Sequence, residues 1–130
     1  MLDAGEMRRL RTDLPYTFRP PVHRRWIRPA GLWVNRNVHL GRKYRMSRIE
    51  ATGFEEVREL CAAGHSVMLA PNHSDHSDPH VIMEICARFG MTPCFMGARE
   101  IFETQPIAAW SLQSMGVFSV DRDGPDLSAI

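Results

Sequence analysis

The spacing of apolar residues changes period several times along the chain, and each change marks an element boundary. From Phe54 the apolar positions Phe54, Val57, Leu60 and Cys61 recur every three or four residues, with Glu55, Glu56 and Glu59 between them. That period predicts a helix with one apolar stripe, stopped by Gly64. Ser66-Val-Met-Leu-Ala70 is a short, mostly apolar run and reads as a buried strand. Helical spacing resumes with Val81, Ile82, Ile85, Cys86 and Phe89, with Asp78 as N-cap, Pro79 in the first helical position and Gly90 as the stop. Pro93–Met96 predicts another strand, and Gly97–Phe102 a turn into a short helix. Pro106 opens a helix that runs to about Met115 and ends at Gly116, and Val117–Val120 is a further strand. Strands alternating with helices predict the α/β class, a mainly parallel sheet flanked by helices.

The two ends read differently. Prolines at 15, 20, 21 and 29 punctuate the front of the chain and leave Ala30–Leu40 as its helical candidate, while Tyr44–Ala51 has the partial alternation of an edge strand. Residues 124–130 read as a turn and the first turn of a helix that is then cut off, so the expectation is a fold incomplete at its C-terminus.

Composition narrows the class. With 130 residues, 44% apolar and 24% charged, the chain fits one globular domain, and no run approaches the roughly 20 apolar residues that span a bilayer. Met1–Leu14 has no apolar block of the kind a secretory signal needs, so the mature protein is expected to start near Met1. Cys61, Cys86 and Cys94 form no C-x-x-C pair and predict reduced thiols in a cytosolic compartment.

Charge is what divides the chain. Residues 1–48 hold twelve of the sixteen basic residues and three of the fifteen acidic ones, a net +9, whereas residues 49–130 carry −8. The arginines of 1–48 are interleaved with Phe18, Trp26, Ile27, Leu32, Trp33 and Val34. Rings at headgroup depth with guanidinium groups on lipid phosphates would use this pattern. RNA binding and a solvated structural arm are the competing readings. The reading adopted is a basic aromatic arm, 1–48, that contacts a membrane surface peripherally from the cytoplasmic side, with no nucleic acid partner, followed by a second region, 49–130.

The chemistry concentrates in Leu69-Ala-Pro-Asn72-His73-Ser74-Asp75-His76-Ser77-Asp78-Pro79-His80, three histidines and two aspartates between a strand and a helix N-terminus. Open α/β sheets place ligand sites at such a corner. His73 and Asp78 would lie about 140° apart on one continuous helix and could not meet, but across a corner they can form a base and its orienting carboxylate. Alternatively His73, Asp75, His76, Asp78 and His80 are metal ligands, although the usual distant ligands are not evident. A solvated turn with Asx-type hydrogen bonds is the third reading.

Asn72-His73, four residues, then Asp78 resembles the N-H-x-x-x-x-D motif of the glycerolipid acyltransferases, the family that includes lysophosphatidic acid acyltransferases. Gly116-Val-Phe-Ser-Val-Asp121-Arg122 looks like that family's second block, G-x-x-F-h-x-R, with polar Ser119 where an apolar residue is usual. Arg99-Glu100-Ile-Phe102 resembles the stretch between the blocks. The similarity covers roughly Ile49 to Asp126. The family's third block, E-G-T-R, and its fourth are not in the sequence, so the chain resembles the N-terminal part of the catalytic domain. The resemblance implies transfer of a fatty acyl group from a coenzyme A or acyl-carrier-protein thioester to a hydroxyl of a lysophospholipid or glycerol phosphate. In it, His73 is the general base, Asp78 its orienter and Arg122 a phosphate contact, with Asn72, Gly116 and Arg99 as further substrate-binding positions. No metal and no cofactor beyond the thioester co-substrate is expected. The alternatives are a non-catalytic membrane-surface module or inactive fragment and, further off, a metal-dependent hydrolase.

Overall fold

A parallel pair of strands cannot be joined by a tight turn, so whatever links them must cross back over the sheet. The computed structural model, which describes residues 15–122, shows this arrangement once. In chain order its elements are α1 (Arg28–Val34), a π-helical segment (Asn35–Lys43), α2 (Phe54–Ala62), α3 (Asp78–Arg88), β1 (Phe95–Ala98), α4 (Arg99–Thr104), α5 (Pro106–Ser114) and β2 (Val117–Val120). β1 and β2 pair in parallel, Phe95 opposite Val117 and Ala98 opposite Val120, and α4 and α5 form the crossover. The class is α/β, as the apolar pattern predicts. The sheet among the described residues has two strands, fewer than that pattern suggests.

Two units make up the described chain: residues 15–23 with 94–122, and residues 24–93. In the first, Phe102, Ala109 and Val117 form the core, with Phe95 and Leu112 packed against them. Gly97 lies where a Cβ would come within 2.9 Å of Val117 Cγ1, so β1 needs a glycine there for α4 and β2 to close over it. Residues 16–19 run beside β2. The Ser119 N–H donates to the Arg19 carbonyl at 3.0 Å, and the Tyr16 hydroxyl donates to the Ser119 carbonyl at 2.9 Å. The Ser119 side chain, fully buried, accepts the Arg19 N–H at 2.8 Å. A polar residue at this apolar position of the motif is thus satisfied by a segment 100 residues away.

In the second unit the helix expected over Ala30–Leu40 forms but changes pitch. The Asn37 side chain donates to the Trp33 carbonyl at 2.9 Å, competing for the acceptor an α-helical Asn37 N–H would use. From Asn35 the backbone takes the wider π spacing, and Tyr44 N–H reaches back five residues to the His39 carbonyl at 2.9 Å. The expected edge strand over Tyr44–Ala51 is absent. Its first residues close the π segment, with Met46 N–H bonded to the Leu40 carbonyl, and Arg45 has φ 53°, outside the extended region.

The predicted strand Ser66–Ala70 is also absent. All five residues are exposed, Met68 to 87%, and no strand among the described residues pairs with them. An apolar run becomes a strand only when a neighbour takes its backbone hydrogen bonds. α2 and α3 form where the apolar stripes place them, with Gly64 (φ 88°) and Gly90 (φ 70°) in the left-handed conformation just beyond their ends. Glu84, Ile85 and Cys86 are the buried residues of α3, and the Glu84 carboxylate accepts from Arg36 Nε and Arg88 Nε at 3.0 and 3.1 Å. No helix among the described residues is long and apolar enough to cross a membrane.

Candidate active site

Pro79, in the first turn of α3, has no N–H to lose where the helix has no intrahelical acceptor to offer, and the preceding residues turn sharply into it. The turn is tied by one oxygen. Asp78 Oδ2 accepts the backbone N–H groups of Ser74 at 2.8 Å and Asp75 at 2.9 Å, and lies 3.2 Å from His73 Nδ1. The expectation that Asp78 is the N-cap is therefore corrected. Asp78 is the first helical residue, Ser77 stands at the cap with no side-chain cap bond, and the Asp78 carboxylate faces back into the turn. The N–H groups of Ser74 and Asp75 are themselves without a helical acceptor, and bonding them closes the corner that brings His73 to Asp78.

The Asp75 backbone N–H, opposed in part by desolvation and helped by His73 and the Ser74 N–H, holds the Asp78 carboxyl below its usual range. Asp78 is thus an anion well below neutrality. With that anion accepting at Nδ1, His73 carries its proton on Nδ1 and presents Nε2 as a base, and its side chain is 63% exposed. Asp75 is engaged within the turn, its Oδ1 accepting the Ser77 N–H at 2.8 Å, and the bonds from Ser77 hold its carboxyl low as well. Asn72 lies exposed beside His73 in the chain.

The metal-ligand reading finds no support in this geometry. Asp75 bonds within its turn, while His80 Nδ1 faces Asn35 Oδ1 at 2.6 Å. Among the described residues no three His, Cys, Asp or Glu side chains converge to hold a metal ion. Ser77 is buried, which removes it as a nucleophile.

The remaining predicted site residues, Arg99, Gly116 and Arg122, lie in the other unit. Arg99 is 5% exposed. Its Nη1 donates to Asp121 Oδ2 at 3.1 Å, its Nε lies 3.2 Å from Glu103 Oε1, and its guanidinium sits 5.6 Å from the Tyr16 ring centre. It lines a cavity of about 280 Å³ with Thr17, Arg19, Phe102, Glu103 and Ser119. Gly116 has φ 94° and ends α5, its carbonyl accepting the Phe95 N–H at 3.0 Å, so backbone geometry alone calls for glycine there. Arg122 is exposed just past the C-terminal end of β2.

Sequence reasoning left His80 without a role, yet Asn35 holds it by both ends of its amide, Nδ2 donating to the His80 carbonyl at 3.0 Å. It also missed a contact between Cys94 Sγ and His23 Nε2 at 3.2 Å, 71 residues apart. No local pattern announces either pair.

No curated protein and no solved structure matches the chain. A family model described as acyltransferase matches residues 48–129, more than half of the chain. That span takes in the Asn72–Asp78 turn and the segment from Gly116 to Arg122, the two stretches whose order and spacing carry the resemblance, and the chain belongs to the acyltransferase family.

Proposed function

We propose that this chain carries the base of an acyltransferase that moves a fatty acyl group from a coenzyme A or acyl-carrier-protein thioester to a hydroxyl of a lysophospholipid or glycerol phosphate, a step of phospholipid biosynthesis. The observation that supports it is the 3.2 Å contact of His73 Nδ1 with an Asp78 carboxylate already fixed by two backbone N–H groups. In this reading His73 Nε2 takes the proton of the acceptor hydroxyl as its oxygen attacks the thioester carbonyl. The tetrahedral intermediate collapses with cleavage of the C–S bond, and the imidazolium returns the proton to the departing thiolate. Asp78 stabilises the imidazolium without itself being protonated. No acyl-enzyme is required. Arg122, exposed and planar, suits the acceptor phosphate, with Asn72, Gly116 and Arg99 as further substrate positions.

Trp26 and Trp33 favour a second component, peripheral attachment at the cytoplasmic membrane surface. They are 75% and 62% exposed, Trp26 in the turn that precedes α1 and Trp33 within it, and Arg25, Arg36, Arg42 and Lys43 of the same stretch are exposed as well. A module that binds membranes without catalysis is the alternative.

Acyl transfer from a long-chain thioester to lysophosphatidic acid by the purified protein tests the enzyme reading. His73→Ala is expected to abolish turnover, and Asp78→Asn to lower it by about 10²–10⁴-fold. Turnover that survives His73→Ala sinks the assignment. Sedimentation with anionic and neutral vesicles tests attachment, and equal binding to both counts against it.

A further inference from the structure

Asn35 is 3% exposed at the start of the π segment, and both ends of its side chain are spent on one residue of α3. Nδ2 donates to the His80 carbonyl at 3.0 Å, and His80 Nδ1–H donates to Oδ1 at 2.6 Å. The His80 ring then stacks on His39, centroids 4.3 Å apart and 19° from parallel, and Tyr44 closes a tilted contact at 5.7 Å. His80 is the third residue of α3, two beyond Asp78. At 100° per residue the two side chains leave the helix about 200° apart, so the turn is held on one side by Asn35 while Asp78 projects from the other.

We propose, resting on the functional reading above, that Asn35 acting through His80 is a positioning residue for the His73–Asp78 pair. The geometry gives the reason. A side chain reaches about 5 Å from the helix axis, so rolling the first turn by about 20° carries a carboxylate oxygen nearly 2 Å. Such a shift breaks a 3.2 Å contact to His73 and the two N–H bonds from Ser74 and Asp75. Bonds to a main-chain carbonyl and a ring nitrogen of the same residue oppose that roll. The ring stack adds a flat surface against which His80 cannot turn.

Burial, and then the charges of His39 and Lys43, push His80 down to about 4. The clamp is therefore neutral across the range in which His73 must act as a base. The groups that face it are His39, Lys43 and Tyr44 from the π segment and its end, with Asn35 on the ring nitrogen.

Two variants of the purified protein test this, Asn35→Leu, which removes both bonds at similar volume, and His80→Phe, which keeps the ring stack and loses the ring bond. Carboxyl-carbon NMR reads the titration of Asp78, and amide exchange reads Ser74 and Asp75. Asn35→Leu is expected to raise the Asp78 midpoint by at least about half a pH unit and to speed exchange at both amides, with a smaller change in His80→Phe. In the acyl-transfer assay Asn35→Leu is expected to lower kcat about tenfold with KM little changed. A folded Asn35→Leu or His80→Phe protein with Asp78 titration and amide exchange unchanged overturns the proposal, whatever its melting temperature. The NMR readouts do not depend on turnover, so failure of the wild-type chain to transfer an acyl group overturns the function and leaves the positioning decided by titration.

Discussion

Glu84 sets a quantitative test of how the unit spanning residues 24–93 is held together. Its side chain is 1% exposed, its Oε1 accepts from Arg36 Nε and Arg88 Nε, and its Oε2 has no hydrogen-bond partner among the described residues. The perturbation is removal of the arginines singly and together, as Arg36→Met and Arg88→Met, which keep most of the aliphatic stem. Hydrogen bonds to a charged group contribute about 1.5–3 kcal/mol. Both guanidinium groups are about half exposed and screened by water, which puts either single loss at about 1–1.5 kcal/mol. Removing both strands a buried carboxylate, a change that costs about 3–5 kcal/mol.

The double variant should therefore lose about 3–5 kcal/mol, more than the two single losses together. Urea unfolding of the parent, both single variants and the double, followed by far-UV circular dichroism, measures all of this. Losses that simply add would refute the reasoning.

Other outcomes follow from the same geometry. His80 titrates near 4 in the folded protein against 6.5 in the unfolded chain, so its stabilising neutral form is fully favoured above 6.5 and loses ground as pH falls from 6.5 to 4. Discounted for partial exposure, the loss is about 1–2 kcal/mol; His80→Phe should flatten that part of an unfolding-versus-pH curve, and an unchanged slope counts against it. Gly97→Ala would set a Cβ 2.9 Å from Val117 Cγ1 and 3.1 Å from Phe102 Cε2, for a loss of about 1–3 kcal/mol in urea unfolding; a neutral result would show that β2 and α4 yield. Ser119→Val restores the apolar residue usual at that motif position, yet removes the buried hydroxyl that accepts the Arg19 N–H, and should destabilise by about 1–3 kcal/mol rather than stabilise.

What could be read from the sequence is what depends on near neighbours. The stripes of α2 and α3, the glycines that end them and the strand Val117–Val120 are set by residues within a turn or two of one another, and all appear where the pattern puts them. So does the meeting of His73 with Asp78, five residues apart across a corner. Ser66–Ala70 has the composition of a strand, but a ladder is a property of two segments, and composition reports on one. The π segment was hidden for a related reason. Its pitch is linked to where one amide side chain, Asn37, places its hydrogen bond, a choice no periodicity reveals.

The departures from the family pattern are more instructive than the agreements. Ser119 breaks the apolar rule of the second block, and a buried hydroxyl without a partner would be a defect. It is instead the acceptor for Arg19 and a neighbour of Tyr16, residues that precede it by about a hundred positions. Asp78 breaks the simpler expectation of an N-cap because its oxygen is already committed to the turn that holds His73. In both cases a polar side chain that looks misplaced from its immediate neighbours is satisfied by a specific segment, and the anomaly indicates that such a segment exists. By the same logic His80, which had no evident use in its own turn, is the residue through which Asn35 reaches the helix that carries Asp78. A titratable group without local purpose, placed beside a motif, is therefore a reason to search the far side of the element for what holds the motif still.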